Sequence, residues 1–142
     1  MAALLLVTTA ACSKDDNGSA ATSSSTSITV EKTPAEVLAA CTPAVGADFV
    51  AVERHLLKGA HQLREGFVSP DAADGHYLAA DVYSDADQLL ASDLRWRIAP
   101  DGSAMAANAA TAKWSSLPVV PAAQAADHPE LTACVKAALA FL

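Results

Sequence analysis

The chain changes character abruptly at Cys12, and that break limits how much of it can fold. Ahead of it, Ala2–Ala11 read AALLLVTTAA, an apolar run without a charge. Crossing the roughly 30 Å of bilayer hydrocarbon takes about 20 helical residues, so this run is too short for a transmembrane helix and has the length of a signal-peptide core. Behind the break, residues 13–27 read SKDDNGSAATSSSTS and show no apolar periodicity. Such a segment buries too little surface to offset the entropy of ordering it, so 13–30 is expected to be a disordered tether. Flexible-chain statistics give it an end-to-end distance of roughly 20–25 Å. The remaining 31–142 suffice for one globular domain and not two.

The small pair Ala10–Ala11 directly before Cys12 resembles the lipobox of bacterial lipoproteins, and the Ser/Thr-rich stretch behind it resembles the tethers of actinobacterial lipoproteins. The resemblance covers 1–12 as signal peptide and lipobox, and the tether. It implies export, cleavage ahead of Cys12, and a lipid on the Cys12 thiol that holds the chain on the outer face of the cytoplasmic membrane. Two positions depart from the pattern. Thr9 stands three before the cysteine, where Leu is usual, and no Lys or Arg precedes the apolar run, which points to a start codon further upstream. The alternative is an ordinary secretory signal cleaved near Ala11, with Cys12 incidental.

The sequence holds three cysteines. If Cys12 carries lipid, as the resemblance implies, Cys41 and Cys134 are left as an even pair in an oxidising compartment, and a disulfide between them is expected; two buried thiols are the alternative. The bond would close a loop of about 94 residues, worth up to about 4–5 kcal/mol in the chain-entropy account.

Helix signals frame both cysteines. Thr33-Pro34-Ala35-Glu36 combines a Thr N-cap, a Pro at the first helical position and a Glu at the third, with Val37, Leu38 and Cys41 following on one face. Pro129-Glu130 opens a last helix whose Leu131, Cys134, Val135, Ala138 and Leu142 recur at helical spacing. Between them, Phe49, Val52, Leu56, Ala60, Leu63 and Phe67 step by three or four. That spacing predicts one amphipathic helix of about five turns after Thr42-Pro43, kinked at Gly59 and capped at Gly66. The period then changes to two. Leu94, Trp96 and Ile98 alternate with Arg95 and Arg97 as a half-buried strand, Pro100-Asp101-Gly102 turns the chain, and Ser103–Asn108 returns. Tyr77–Tyr83 reads as a third strand. Ser84–Asp93 fits a turn or a capped short helix, and the turn is preferred. Pro118–Asp127 reads as a loop. Aromatic residues make up only 5% of the chain, so Leu, Val and Ala must fill the core around Phe49, Phe67, Tyr77, Tyr83, Trp96, Trp114 and Phe141. The fold class expected is α+β, a small antiparallel meander packed against N- and C-terminal helices and clamped by one disulfide.

Net charge is −7, and the basic residues never cluster, so a nucleic-acid partner is not expected and any membrane attachment must be covalent or hydrophobic. Asp71, Asp74, Asp81, Asp85, Asp87 and Asp93 fall in a stretch without Lys or Arg. Asp85-Ala86-Asp87 has the spacing of calcium-loop ligands, which makes Asp81, Asp85 and Asp87 weak metal candidates. The loop lacks the sharp-turn Gly and the closing Glu of such sites, so turn chemistry is the plainer reading and no metal is assigned. His61 and Glu65 would share a helical face, but Arg54 and Lys58 would lie on the same stripe, which disfavours a metal. His55, His76 and His128 stand alone. No zinc-protease motif, paired-cysteine motif, phosphate-cradling loop or nucleophile elbow occurs, so no catalytic residue and no cofactor is expected. Trp114, in an irregular segment after the last strand, is the candidate partner contact, against its plainer role as a cap on the core. The function expected is a non-enzymatic, lipid-anchored binding or envelope-accessory protein whose partner is an envelope protein, an envelope polymer or a small ligand. A small secreted envelope hydrolase is the alternative.

Overall fold

In a computed structural model, the chain is described over residues 30–57, 59–60, 62–69 and 74–142. Cys12, where a lipid is expected, and the tether expected over 13–30 lie outside these, apart from residue 30. The compact unit runs from Lys32 to Leu142.

Helix α1, Pro34–Leu38, begins where its capping box predicts: Thr33 Oγ1 accepts from the Glu36 backbone N–H at 3.3 Å, and the Glu36 carboxylate accepts from the Thr33 N–H at 2.9 Å. Strand β1 is the pair Thr42–Pro43, and helix α2 spans Gly46–Glu53. Four longer or paired strands follow: β2, Gln62–Val68; β3, His76–Tyr83; β4, Leu89–Ile98; and β5, Ala104–Ala106. Single helical turns at Thr111–Lys113 and Ala122–Gln124 lead to helix α3, Pro129–Leu139. The five strands form one antiparallel sheet in chain order. The α+β meander with flanking helices expected from the sequence is the fold.

Both faces of the sheet are covered, because β3 is buried on both sides. Its Leu78, Ala80 and Val82 meet Ala51 and Val52 of α2 together with Leu94, Trp96 and Ile98 of β4. Tyr77 and Ala79 point the other way, toward Leu131, Cys134 and Val135 of α3. The period-two reading of β4 therefore holds: its apolar residues enter the first core, and Arg95 and Arg97 sit on the α3 side. Trp96 is 0% exposed and donates its indole N–H to Ser115 Oγ at 3.3 Å. The turn between β4 and β5 forms where expected, with Gly102 at φ 83° and Asp101 accepting from the Ser103 N–H. The turn preferred for Ser84–Asp93 is confined to its first half, where the Ser84 N–H donates to the Gln88 carbonyl; β4 begins at Leu89.

The five-turn helix expected over Phe49–Phe67 does not form. Helix α2 stops at Glu53, Gly59 takes φ 97°, and Gln62–Val68 is a strand paired with β3. The apolar spacing misled because β2 carries a bulge. The register shifts between Arg64 and Phe67, with Glu65 at φ 53°, and the extra residue turns Leu63 into the α2 core and Phe67 into the α3 core. Residues four apart thus face opposite layers, whereas on a helix they would share one. Gly66 is not a cap. A Cβ there would lie 2.5 Å from the Phe49 ring, so its bare backbone lets α2 lie close on β2.

At the C-terminus α3 matches its predicted start and apolar face, except that Leu142 lies beyond the helix and is 78% exposed. Cys41 and Cys134 are joined, with Cα atoms 5.9 Å apart. Cys134 is a buried residue of α3, and Cys41 follows the end of α1, so the bond ties the first helix to the last.

Candidate functional site

The three aspartates singled out as weak metal ligands have separate structural tasks. Asp81 is 0% exposed on β3, inside the irregular pairing with β4, where it accepts the Asp93 N–H at 3.0 Å through Oδ1; its Oδ2 has no hydrogen-bond partner among the described residues. Burial pushes its carboxyl above the ordinary aspartate range, opposed by hydrogen bonds from Ser92 and the Asp93 N–H. Asp85 and Asp87 are in the β3–β4 turn, where Asp87 takes φ 58°, pairs with Arg64 and accepts from Gln62 at 3.2 Å. Among the described residues, no three His, Cys, Asp or Glu side chains converge so as to hold a metal. The His61–Glu65 helical face does not exist, since Glu65 is the bulge residue of β2; His61 itself lies outside the described residues, as does Asp71. Asp93, at φ 53°, and Arg95 form a tie with Asp127 and Thr132 that fastens β4 to α3.

Trp114 is half-buried and packs against the α2-side core, and its carbonyl accepts the Leu57 N–H at 3.0 Å. Part of its surface remains accessible, while its backbone fastens the segment after α2.

Two open clefts meet at the end of the sheet where β3 begins and β4 turns into β5, and they share Gly75, Ala99 and Pro100. The larger, about 700 Å3, lies on the α3 side. Several of its polar groups are committed to the fold. The Tyr77 hydroxyl donates to the Gln124 carbonyl at 3.1 Å, and Ser69 Oγ accepts the Tyr77 N–H at 3.0 Å. Arg97 donates to the Asp74 carbonyl, and His128 stacks on Tyr77 while its Nδ1 meets Glu130 at 2.8 Å.

The second cleft, about 610 Å3, lies on the α2 side, within the usual size for small-ligand sites. One wall is α2, with Val50, Ala51 and Arg54; the other is the turn Ala99–Gly102; His76 is at its base. Nε2 of His76 lies 2.8 Å from Asp48 Oδ1, with the His76 side chain 26% exposed and Asp48 11%. Asp48 Oδ2 accepts the Val45 N–H at 2.9 Å, so one carboxylate both starts α2 and orients the imidazole. A carboxylate only accepts, so Nε2 carries a hydrogen and Nδ1 is the nitrogen left for other work. Gly75 is what lets His76 sit there. It takes φ 105°, and a Cβ on it would lie 2.2 Å from the Ile98 carbonyl oxygen.

Sequence reasoning noted His76 but not Asp48, which stands 28 residues away on another element. The local signal was its place three residues after Val45, in an otherwise apolar helix start. Comparison with known proteins finds no family model, no curated protein and no solved structure that matches this chain.

Proposed function

We propose that the chain is an exported, lipid-anchored binding protein. Cys12 bears the lipid, the tether lifts the domain off the outer face of the cytoplasmic membrane, and the α2-side cleft receives the ligand. The observation that carries the reading is the Cys41–Cys134 disulfide. Such bonds persist in oxidising compartments, and this one uses the two cysteines that remain once the lipobox-like Cys12 is set aside. The described helices include none long and apolar enough to cross a membrane, which is compatible with attachment through a lipid. Intact mass of the protein from native membranes tests it. The expected species starts at Cys12, carries acyl chains and is two hydrogens lighter than the reduced form; an unlipidated chain overturns the anchor.

The envelope-hydrolase reading has one foothold, the Asp48–His76 pair, since an oriented imidazole can act as a base. No Ser, Thr or Cys is among the described residues lining that cleft, which leaves water or a carboxylate as the nucleophile. Binding is therefore the reading the cleft supports better.

A further inference from the structure

The α2-side cleft differs from its neighbour in the balance of its polar groups. Asp48 is spent, because both carboxylate oxygens already have partners: the Val45 N–H and His76 Nε2. Asp101 is engaged through one oxygen: its Oδ1 accepts from the backbone N–H of Ser103 at 2.9 Å and from the Ser103 hydroxyl at 2.6 Å. Its charge remains, and two further lining groups are cationic or able to become so. Arg54 is exposed at the C-terminal end of α2 and has no ion-pair or hydrogen-bond partner among the described residues. His76 keeps Nδ1, and a proton there would leave an imidazolium backed by Asp48. The rest of the lining is apolar and small: Ala47, Ala51, Ile98, Pro100, and Val50, which is 59% exposed despite its aliphatic side chain.

From this balance we infer that the α2-side cleft binds a carboxylate carried on a small apolar body. Arg54 meets the carboxylate through its guanidinium fork, and protonated His76 supplies the second charged donor. Val50, Ala47 and Pro100 cover the apolar part. Only the imidazolium donates from both ring nitrogens, so affinity must rise as pH falls, by the reciprocity of proton and ligand binding. The charged groups facing His76 are Asp48 and Arg54 from α2 and Asp101 from the turn. The hydrogen bonds from the Ser103 hydroxyl and N–H hold the Asp101 carboxyl below the ordinary aspartate range.

This inference rests on the binding reading but not on the anchor, so the test is made on the full chain in detergent, where failure to bind leaves the lipid question untouched. The probe is N-acetyl-alanine, titrated while the His76 ring resonances are followed by NMR, with N-acetyl-alaninamide as the uncharged control. Expected are saturable shifts with a dissociation constant on the order of millimolar, at least about tenfold tighter at pH 5.5 than at pH 8, and weakened about tenfold by Arg54→Gln. Arg54 is exposed, so this variant keeps its fold. N-acetyl-trialanine separates two sources of the same chemistry: tighter binding than N-acetyl-alanine assigns the C-terminus of a peptide, and equal binding assigns a free small acid. Equal binding of the amide, no dependence on pH, or an unchanged constant in Arg54→Gln overturns the inference.

Discussion

Two residues show how strongly single positions are held in this fold. Asp81 is a carboxylate with no exposure and one oxygen without a hydrogen-bond partner among the described residues, so its charge is unfavourable where it sits. Its carboxyl is raised above the ordinary aspartate value of 3.8, chiefly by burial. The sign follows from linkage. A raised folded-state value means the stabilising contribution is complete below 3.8 and is lost as pH climbs through the folded value. Thermal melts of the wild type and Asp81→Asn at pH 4 and pH 7 should therefore diverge, with the variant gaining on the wild type at the higher pH. Parallel melts at the two pH values would show that burial does not raise the Asp81 carboxyl in the fold. Glu36 and Asp101 act in the opposite direction. Hydrogen bonds from Thr33 and Ser103 lower their values, so they lose stabilisation as pH falls, and the difference between the two proteins isolates Asp81 from them. Gly75 is held by sterics. With φ at 105° and the Ile98 carbonyl 2.2 Å from any added Cβ, Gly75→Ala must shift backbone and not merely a side chain. A loss of about 3 kcal/mol or more is expected in denaturant melts, since positive φ and overpacking each cost roughly 1–3 kcal/mol. The same substitution should alter the His76 ring resonances, because Gly75 borders the cleft.

Elements differ in what holds them. Helix α1 has five residues, none of them buried, and β1 has two. A helix that short is unstable alone, so its capping box shapes α1 without being able to hold it. The disulfide supplies the holding, with Leu38 and Cys41 packing on the α3-side core. Reduction should release α1 and β1 while the α2-side core around Trp96, Leu78 and Val52 persists, because neither element contributes to it. Hydrogen exchange before and after reduction checks this: amides of residues 36–41 should lose protection, and those of β3 and β4 should keep most of theirs. Chain entropy for a sequence separation of 93 suggests a stability loss of up to roughly 4–5 kcal/mol. Uniform loss of protection over the sheet would mean that the two cores melt as one. The middle of β4 is fastened differently, through Arg95 to Asp93, Asp127 and Thr132 on the α3 side. Arg95→Ala leaves Asp93 without its cation in a half-buried place. A cost of about 1–3 kcal/mol is expected, below that of a fully buried pair because water screens the site.

For the molecule as a whole, the net charge of −7 and the scattered basic residues make electrostatic adhesion to an anionic bilayer unfavourable, so on the proposed reading the anchor must do all the work. Cys12→Ala should then move the protein from the membrane to the soluble fraction after cell fractionation; retention in the membrane would remove the lipid from the account. Much of the architecture was readable without coordinates because it is set by local physics. The Thr33–Glu36 cap, the alternation of Leu94, Trp96 and Ile98, and the turn at Pro100–Gly102 each depend on neighbours within a few residues, and each forms as read. Segment 62–68 was not readable in that way. Leu63 and Phe67 suit one helical face and equally suit opposite faces of a bulged strand, and only pairing with β3 chooses between them. The cleft belongs to the same category: Asp48 and His76 lie 28 residues apart on different elements and become a pair only when α2 docks on the sheet. Sequence alone therefore determined the Pro100–Gly102 turn, the Thr33–Glu36 cap and the cysteine inventory, where short-range sterics and hydrogen bonds decide. Tertiary structure decided the identity of β2 and the chemistry of the cleft, because long-range pairing outweighs weak local preference.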